Sequence, residues 1–218
     1  MATAQTQVQK KLYTVAEYLE FERLAEERHE FIDGEIRAMA GESPKHSAIN
    51  VNVIFQVMGD MTDKPCQVFS PNMKIRSGEQ ILPHSNKGVF SYADLAVVCG
   101  EPEFHDKFED ILVNPTVIFE ILSPSTESFD RGEKFRRFRT YNTSLTDYVL
   151  ISQSQPLIEH FKRQPNGQWL MTEVKGLEND LHLDSIGCRL KLAEVYKRVN
   201  FQPPTTPDAG VEQTDEEP

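Results

Sequence analysis

No apolar run in this 218-residue chain approaches the roughly 20 residues that a membrane-spanning helix needs. The stretch from Met1 to Lys11 holds no apolar segment of the kind a signal peptide carries, so secretion is not expected. Cysteine is scarce: Cys66, Cys99 and Cys188 are odd in number and far apart in the chain. They make no paired zinc spacing, and a reduced, cytoplasmic setting is the simplest expectation. A basic surplus is also missing. The formal net charge is −11, which argues against a protein that coats nucleic acid by neutralising phosphates. Five of the acids lie after Gln202, where there is no lysine or arginine, so the rest of the chain carries −6. No helix-turn-helix or zinc finger is present to read bases. Neither a membrane partner nor an organic cofactor is expected.

What is present is ordinary for a globular protein, with 39% apolar and 26% charged residues. Residues 1–12 read as a polar, disordered arm, 13–200 as one domain, and 201–218 as an acidic, disordered tail. Thr14 and Glu17 form a capping box that should open a helix running to about Glu26. Asp33-Gly34, between short β-favouring runs, predicts a hairpin. Ser43-Pro44 opens a second helix, to about Gly59. Strands are expected at Cys66–Phe69, Met73–Arg76, Tyr92–Cys99, Thr116–Leu122 and Asp147–Ser152, with a polar loop from Ser77 to Gly88. A hairpin from Leu157 to Val174 and a short helix from Leu190 to Val199 complete the reading.

The stretch from Val117 to Tyr141 organises the rest. Its strand Val-Ile-Phe-Glu-Ile-Leu carries one acid, Glu120. Alternation puts Ile118, Glu120 and Leu122 on one face and Val117, Phe119 and Ile121 on the other. Both faces are apolar, so the strand is central, and a carboxylate there needs a partner. Asp94 opens the strand expected just upstream. Downstream, Asp130 to Tyr141 reads as a helix, with Asp130 and Glu133 as a cap-like start. At 100° per residue Lys134 falls on the face of Phe135, Phe138, Tyr141 and Asn142. Two carboxylates with a covering lysine could hold a divalent cation and steady a phosphate.

Several blocks carry a resemblance: His29-Glu30-Phe-Ile-Asp-Gly-Glu-Ile36, His46, Ala93-Asp94-Leu-Ala-Val-Val98, Glu120-Ile-Leu-Ser-Pro-Ser-Thr126, and Asp130-Arg-Gly-Glu-Lys134 through Tyr141. Together they resemble the Uma2 family (DUF820) of the PD-(D/E)XK nuclease superfamily. The resemblance runs from about Tyr13 to Asn200. It implies an α/β (mixed α+β), restriction-endonuclease-like core: a mixed β-sheet flanked by helices. It further implies a Mg²⁺- or Mn²⁺-dependent endonuclease acting on DNA. Asp94, Glu120 and the backbone of Ile121 would hold the metal, and Lys134 and Glu30 would complete the catalytic set. Two departures stand out. Position 122 is Leu, where the superfamily pattern has Lys, so the lysine is supplied from the helix by Lys134. Ala93 stands where Pro usually precedes the Asp, which removes a fixed φ but no chemistry.

Other residues have two readings each. Glu30 is an outer acid or a solvated hairpin charge. His46, on the inward face of the second helix, contacts the site or is a core histidine. Lys74 contacts phosphate or is a strand-edge charge. Arg131 leads a basic cluster with Arg136, Arg137 and Arg139 that would accept a DNA backbone or form a solvated helix surface. A homodimer would supply the two sites that double-strand cutting takes. Lys134→Ala is expected to abolish cleavage and leave the fold intact. The alternatives are a catalytically idle relative that binds DNA or regulates, and a metal-dependent hydrolase of a smaller phosphate ester.

Overall fold

Strand β8 (Val117–Leu122) is buried at every position, and the molecule is layered around it. The computed structural model describes residues 11–78 and 82–201. The expected arm and tail lie almost wholly outside the described residues, as does part of the loop from Ser77 to Gly88. Among the described residues no helix is long and apolar enough to cross a membrane.

The N-terminal part builds the first sheet. Helix α1 (Val15–Glu22) starts at Thr14, whose side chain and that of Glu17 complete the capping box. Its last residue is Glu22, four residues short of the expected end. The hairpin of β1 (His29–Ile32) and β2 (Glu35–Ala38) turns at Asp33-Gly34, where both residues take positive φ. With β4 (Lys74–Ser77), β5 (Val89–Tyr92) and β7 (Ile111–Leu112) they form a five-stranded sheet in the order β2-β1-β5-β4-β7. Only the β4–β7 pairing is parallel.

The second sheet is larger. Its order is β11-β10-β9-β8-β6-β3, from β3 (Cys66–Phe69), β6 (Leu95–Cys99), β9 (Asp147–Ser152), β10 (Leu157–Arg163) and β11 (Trp169–Lys175) around β8. Strands β8 and β9 run parallel and the other pairs antiparallel, so the sheet is mixed. The predicted alternation along β8 holds. Val117, Phe119 and Ile121 pack with Ile49, Val53 and Val57 of helix α2 (Pro44–Met61). Ile118 and Leu122 pack with Phe135 and Phe138 on the other side. Burying each such side chain contributes roughly 1.5–3 kcal/mol.

The structure differs from the sequence reading in several further places. The strand expected from Tyr92 to Cys99 is two strands, β5 and β6, in different sheets. The chain leaves one sheet and enters the other at Ala93-Asp94. The helix expected from Leu190 starts later, because β12 (Asp180–Leu183) and β13 (Cys188–Lys191) pair as a hairpin and only Leu192–Val195 (α5) is helical. The burial of β13 alternates with period two, which is strand geometry. Tyr141 is 36% exposed and not inward. Finally, Cys66 and Cys99 are directly opposite in the β3–β6 register and form a disulfide, whereas Cys188 is free and buried. Distance along the chain concealed that pairing.

Candidate active site

The crossing from β5 to β6 sets the site. Register pairs Leu95 with Phe119, so Asp94, one residue earlier, comes opposite Glu120. Asp94 is held at both oxygens. Its Oδ2 accepts the Ile121 N–H at 2.6 Å, and its Oδ1 lies 2.8 Å from His46 Nε2. His46 is in the first turn of α2, where the N-cap Ser43 hydroxyl accepts the His46 N–H. His46 therefore reaches Asp94 from the start of α2.

Glu120 points to the side covered by one helical segment. That segment runs through α3 (Glu127–Phe129), a π-helical turn (Asp130–Lys134) and α4 (Phe135–Tyr141). π-Turns are rare and recur at functional sites. This one buries Asp130 and Lys134 together, both 3% exposed. Lys134 Nζ lies 2.8 Å from Glu120 Oε1, 3.3 Å from Asp130 Oδ1 and 3.9 Å from Glu30 Oε1. It also donates to the Tyr92 carbonyl at 2.9 Å. The contact to Glu120 is close but poorly directed, so Oε1 accepts no well-aligned hydrogen bond despite its burial. We read it as an ion pair. Asp130 is not the helix cap the sequence suggested: its carboxylate faces the lysine. The spacing Asp130-x-x-x-Lys134 was the available signal, since residues four apart share a helix face.

Acids outnumber bases here, and the proton affinities follow. Burial drives the Glu120 carboxyl well above the ordinary range, and the nearby Asp130 and Asp94 add to this; Lys134 only partly opposes them. Burial likewise raises Glu30, again against Lys134. Burial works against a charged Lys134, but Glu120, Asp130 and Glu30 together outweigh it and hold the ammonium protonated. Burial also opposes charging His46, and Asp94, with Glu42 and Asp130, overcomes it, so the imidazole stands above its usual value. The cluster keeps surplus negative charge in a low-dielectric pocket. A bound cation or added protons would relieve it.

These groups line one cavity of about 460 Å³ between the sheets and the α3–α4 segment. Glu30, His46, Asp94, Glu120, Ile121 and Lys134 all face it. Lys74 and Arg131 do not. Strand β4 is interior, flanked by β5 and β7, so Lys74 is not the edge charge considered above. It is buried and lies 3.1 Å from Asp110. Arg131 pairs with Glu127 and Glu159. Arg136 pairs with Glu133, and Arg137 with Glu133 and Asp33, so most of the basic cluster is neutralised locally. The arginines that do line the cavity are Arg28 and Arg37, which the sequence reading did not single out. Arg37 pairs with Glu35, and Arg28 donates to the Pro71 carbonyl beside the Tyr92 ring. They come from the β1–β2 hairpin region, far in sequence from the Val117–Tyr141 stretch.

The fold, with a central acid-bearing strand, an acid at the adjoining strand's start and a helical lysine between them, is the restriction-endonuclease-like class of mixed α+β proteins. A crystal structure described as "a putative nuclease belonging to DUF820", from Anabaena variabilis, matches it with a TM-score of 0.66 over 84% of this chain and 97% of that chain. At 16% identity that likeness concerns the fold. The family model Uma2, "Putative restriction endonuclease", matches residues 15–193, and the chain belongs to this family. Two uncharacterized proteins of Synechocystis sp. are similar along most of their length. One, sll1609, is 34% identical over 166 residues, 76% of this chain and 89% of its own. The other, slr1290, is 32% identical over 185 residues, 85% of this chain and 92% of its own.

Proposed function

We propose that the chain is a divalent-metal-dependent endonuclease that hydrolyses phosphodiester bonds of DNA in this cavity. The observation that carries the reading is the buried surplus of carboxylate, from Glu30, Glu120 and Asp130, around the Lys134 ammonium, with Asp94 opposite Glu120 on the adjoining strand, in a member of this family. Asp94 and Glu120, with the backbone of Ile121, would hold Mg²⁺ or Mn²⁺. Among the described residues no three His, Cys, Asp or Glu groups are arranged as a ready-made metal cage. Magnesium does not require one: one or two carboxylates suffice when water and substrate phosphate complete the shell. Glu120 Oε1, buried without a directed donor, and the excess negative charge fit a hard cation. When bound, the metal supplies charge stabilisation at phosphorus and lowers the pKa of an attacking water.

The chain's own groups have separate parts. Lys134, kept protonated by its neighbours, offers a fixed positive charge beside the carboxylates for charge developing on phosphate oxygens. His46 holds Asp94 in one orientation, and the Ile121 N–H holds its other oxygen. Glu30, half-buried at the cavity edge, serves as the outer acid. Arg28 and Arg37 place positive charge on the cavity wall for the flanking phosphodiester backbone. The net acidity of the chain is consistent with few phosphate contacts rather than an extended footprint.

One observation favours the second reading, a catalytically idle relative. Lys134 and His46 already pair with Glu120 and Asp94, which lessens what a cation would gain there. Plasmid and single-stranded DNA incubated with Mg²⁺, Mn²⁺ or EDTA separate the two. Metal-dependent cutting by wild type, lost in Glu120→Ala, supports the nuclease. No cutting of any substrate by wild type, with DNA binding retained, supports the idle relative.

A further inference from the structure

The outward face of α2 is unusual for a solvated helix. No Asp, Glu, Lys or Arg occurs between Lys45 and Asp60. The inward residues Ile49, Val53 and Val57 are in the core, and the Asn52 and Gln56 side chains on one flank bond to the Val195 and Lys191 carbonyls. The remaining arc, about 120° wide at 100° per residue, holds Ser47, Ala48, Val51, Phe55, Met58 and Gly59. Val51 is 63% exposed, Phe55 80% and Met58 51%. Three large apolar side chains at i, i+4 and i+7 form a continuous stripe, the pattern of a helix with a partner and not of a solvated face.

We infer that this face docks a second copy of the chain, α2 against α2, antiparallel about a two-fold axis near Ile54. The face is complementary to itself under that operation, which an isologous interface requires. Val51 of one copy comes opposite Met58 of the other, and Phe55 packs on its own counterpart at the centre. Ala48 comes opposite Gly59, so small residues at both ends let the helices approach closely. Lys45 is in the first turn of α2 and Asp63 is in the turn just past its last residue, where continued helical spacing puts it on the Lys45 side, and the operation brings Lys45 of each copy towards Asp63 of the other. Neither has an ion-pair partner among the described residues. The antiparallel arrangement also opposes the two helix dipoles. A helix of 18 residues offers an area near the low end of specific interfaces, so the dimer is a dissociating one. Since His46 is in the first turn of α2, the two cavities fall at opposite ends of the helix pair.

Sedimentation equilibrium from low to several hundred micromolar full-length protein tests this. Wild type should show a concentration-dependent monomer–dimer equilibrium. Phe55→Asp, at an exposed position, should keep the wild-type melting temperature and raise the dimer dissociation constant at least about tenfold, as loss of a central aromatic anchor does. Lys45→Asp and Asp63→Lys should each weaken the dimer, and the two together should restore it. That restoration is specific to the antiparallel register and is not expected of a merely sticky surface. A wild type that stays monomeric at the highest concentration overturns the proposal. So does a charge-swapped double variant that dimerises no better than the single ones.

Discussion

Replacing Lys134 with Met tests the electrostatic logic of the cavity. The substitution keeps most of the side-chain volume and removes an ammonium that lies within 4 Å of Glu120, Asp130 and Glu30. The expectation that the lysine can be removed at no cost to the fold does not survive its burial. Leaving buried carboxylates without their cation typically costs about 3–5 kcal/mol at neutral pH. Glu120→Gln should cost less, about 1–2 kcal/mol, because burial already drives that carboxyl towards its neutral form. In the double variant the charge and its main partner are both gone, so the losses should fail to add by about 2 kcal/mol or more. The pH dependence has a definite sign. In Lys134→Met the Glu120 and Glu30 carboxyls, already raised by burial, lose the cation that opposes the rise, so the penalty exists where they are ionised. It shrinks as pH falls through the raised values, by up to about 1.4 kcal/mol per unit for each proton taken up. Urea unfolding of the four proteins at about pH 8 and about pH 5 measures all of this. Additive losses, or a Lys134→Met deficit that is the same at both pH values, would refute the reasoning.

Three further outcomes follow from named contacts. Arg28→Gln and Arg37→Gln should weaken DNA binding and each reduce the slope of log affinity against log salt by about 0.9, while Arg136→Gln, outside the cavity, should not; fluorescence anisotropy across a salt series decides. Burial pushes the Asp147 carboxyl up, but hydrogen bonds from His160, Ser185 and Thr146 outweigh it and hold the pKa below the ordinary 3.8. The stability this confers is present above 3.8 and lost as pH falls through the lower folded value, so the melting temperature of Asp147→Asn should converge on wild type in strong acid and lie below it at neutral pH. The Cys66–Cys99 bridge spans 33 residues, and reducing it should lower stability by roughly 3–4 kcal/mol in denaturant titrations, an effect absent from the Cys66→Ser/Cys99→Ser protein.

Much of the site was legible because it depends on local periodicity. The parity of β8 is enough to place Glu120 opposite the core face of α2, and helical spacing is enough to turn Lys134 inward. The capping box of α1, the Ser43-Pro44 start of α2 and Asp33-Gly34 carry their own local chemistry, so α1, α2 and the first hairpin could be read from a few residues. What escaped depends on register between distant segments. The break at Ala93-Asp94 separates two sheets within a run that reads as one strand, and nothing local marks it. Asp130 looked like a cap because an acid at a helix start usually is one; the π-turn that swings it onto Lys134 leaves no composition signal. The partners of Lys74 and Arg131, Asp110 and Glu159, lie 36 and 28 residues away, so the sequence left both cations free to reach phosphate. Arg28 and Arg37 reach the cavity only because the β1–β2 hairpin folds over it.

The most direct test of the account is to titrate Mn²⁺ into the protein and follow it by electron paramagnetic resonance. Wild type should bind the ion at a site that Mg²⁺ competes for, and Asp94→Asn and Glu120→Gln should each lose it while remaining folded. Equal binding by wild type and both variants, or no binding by any of them with or without DNA, would contradict the claim that these two carboxylates hold the metal.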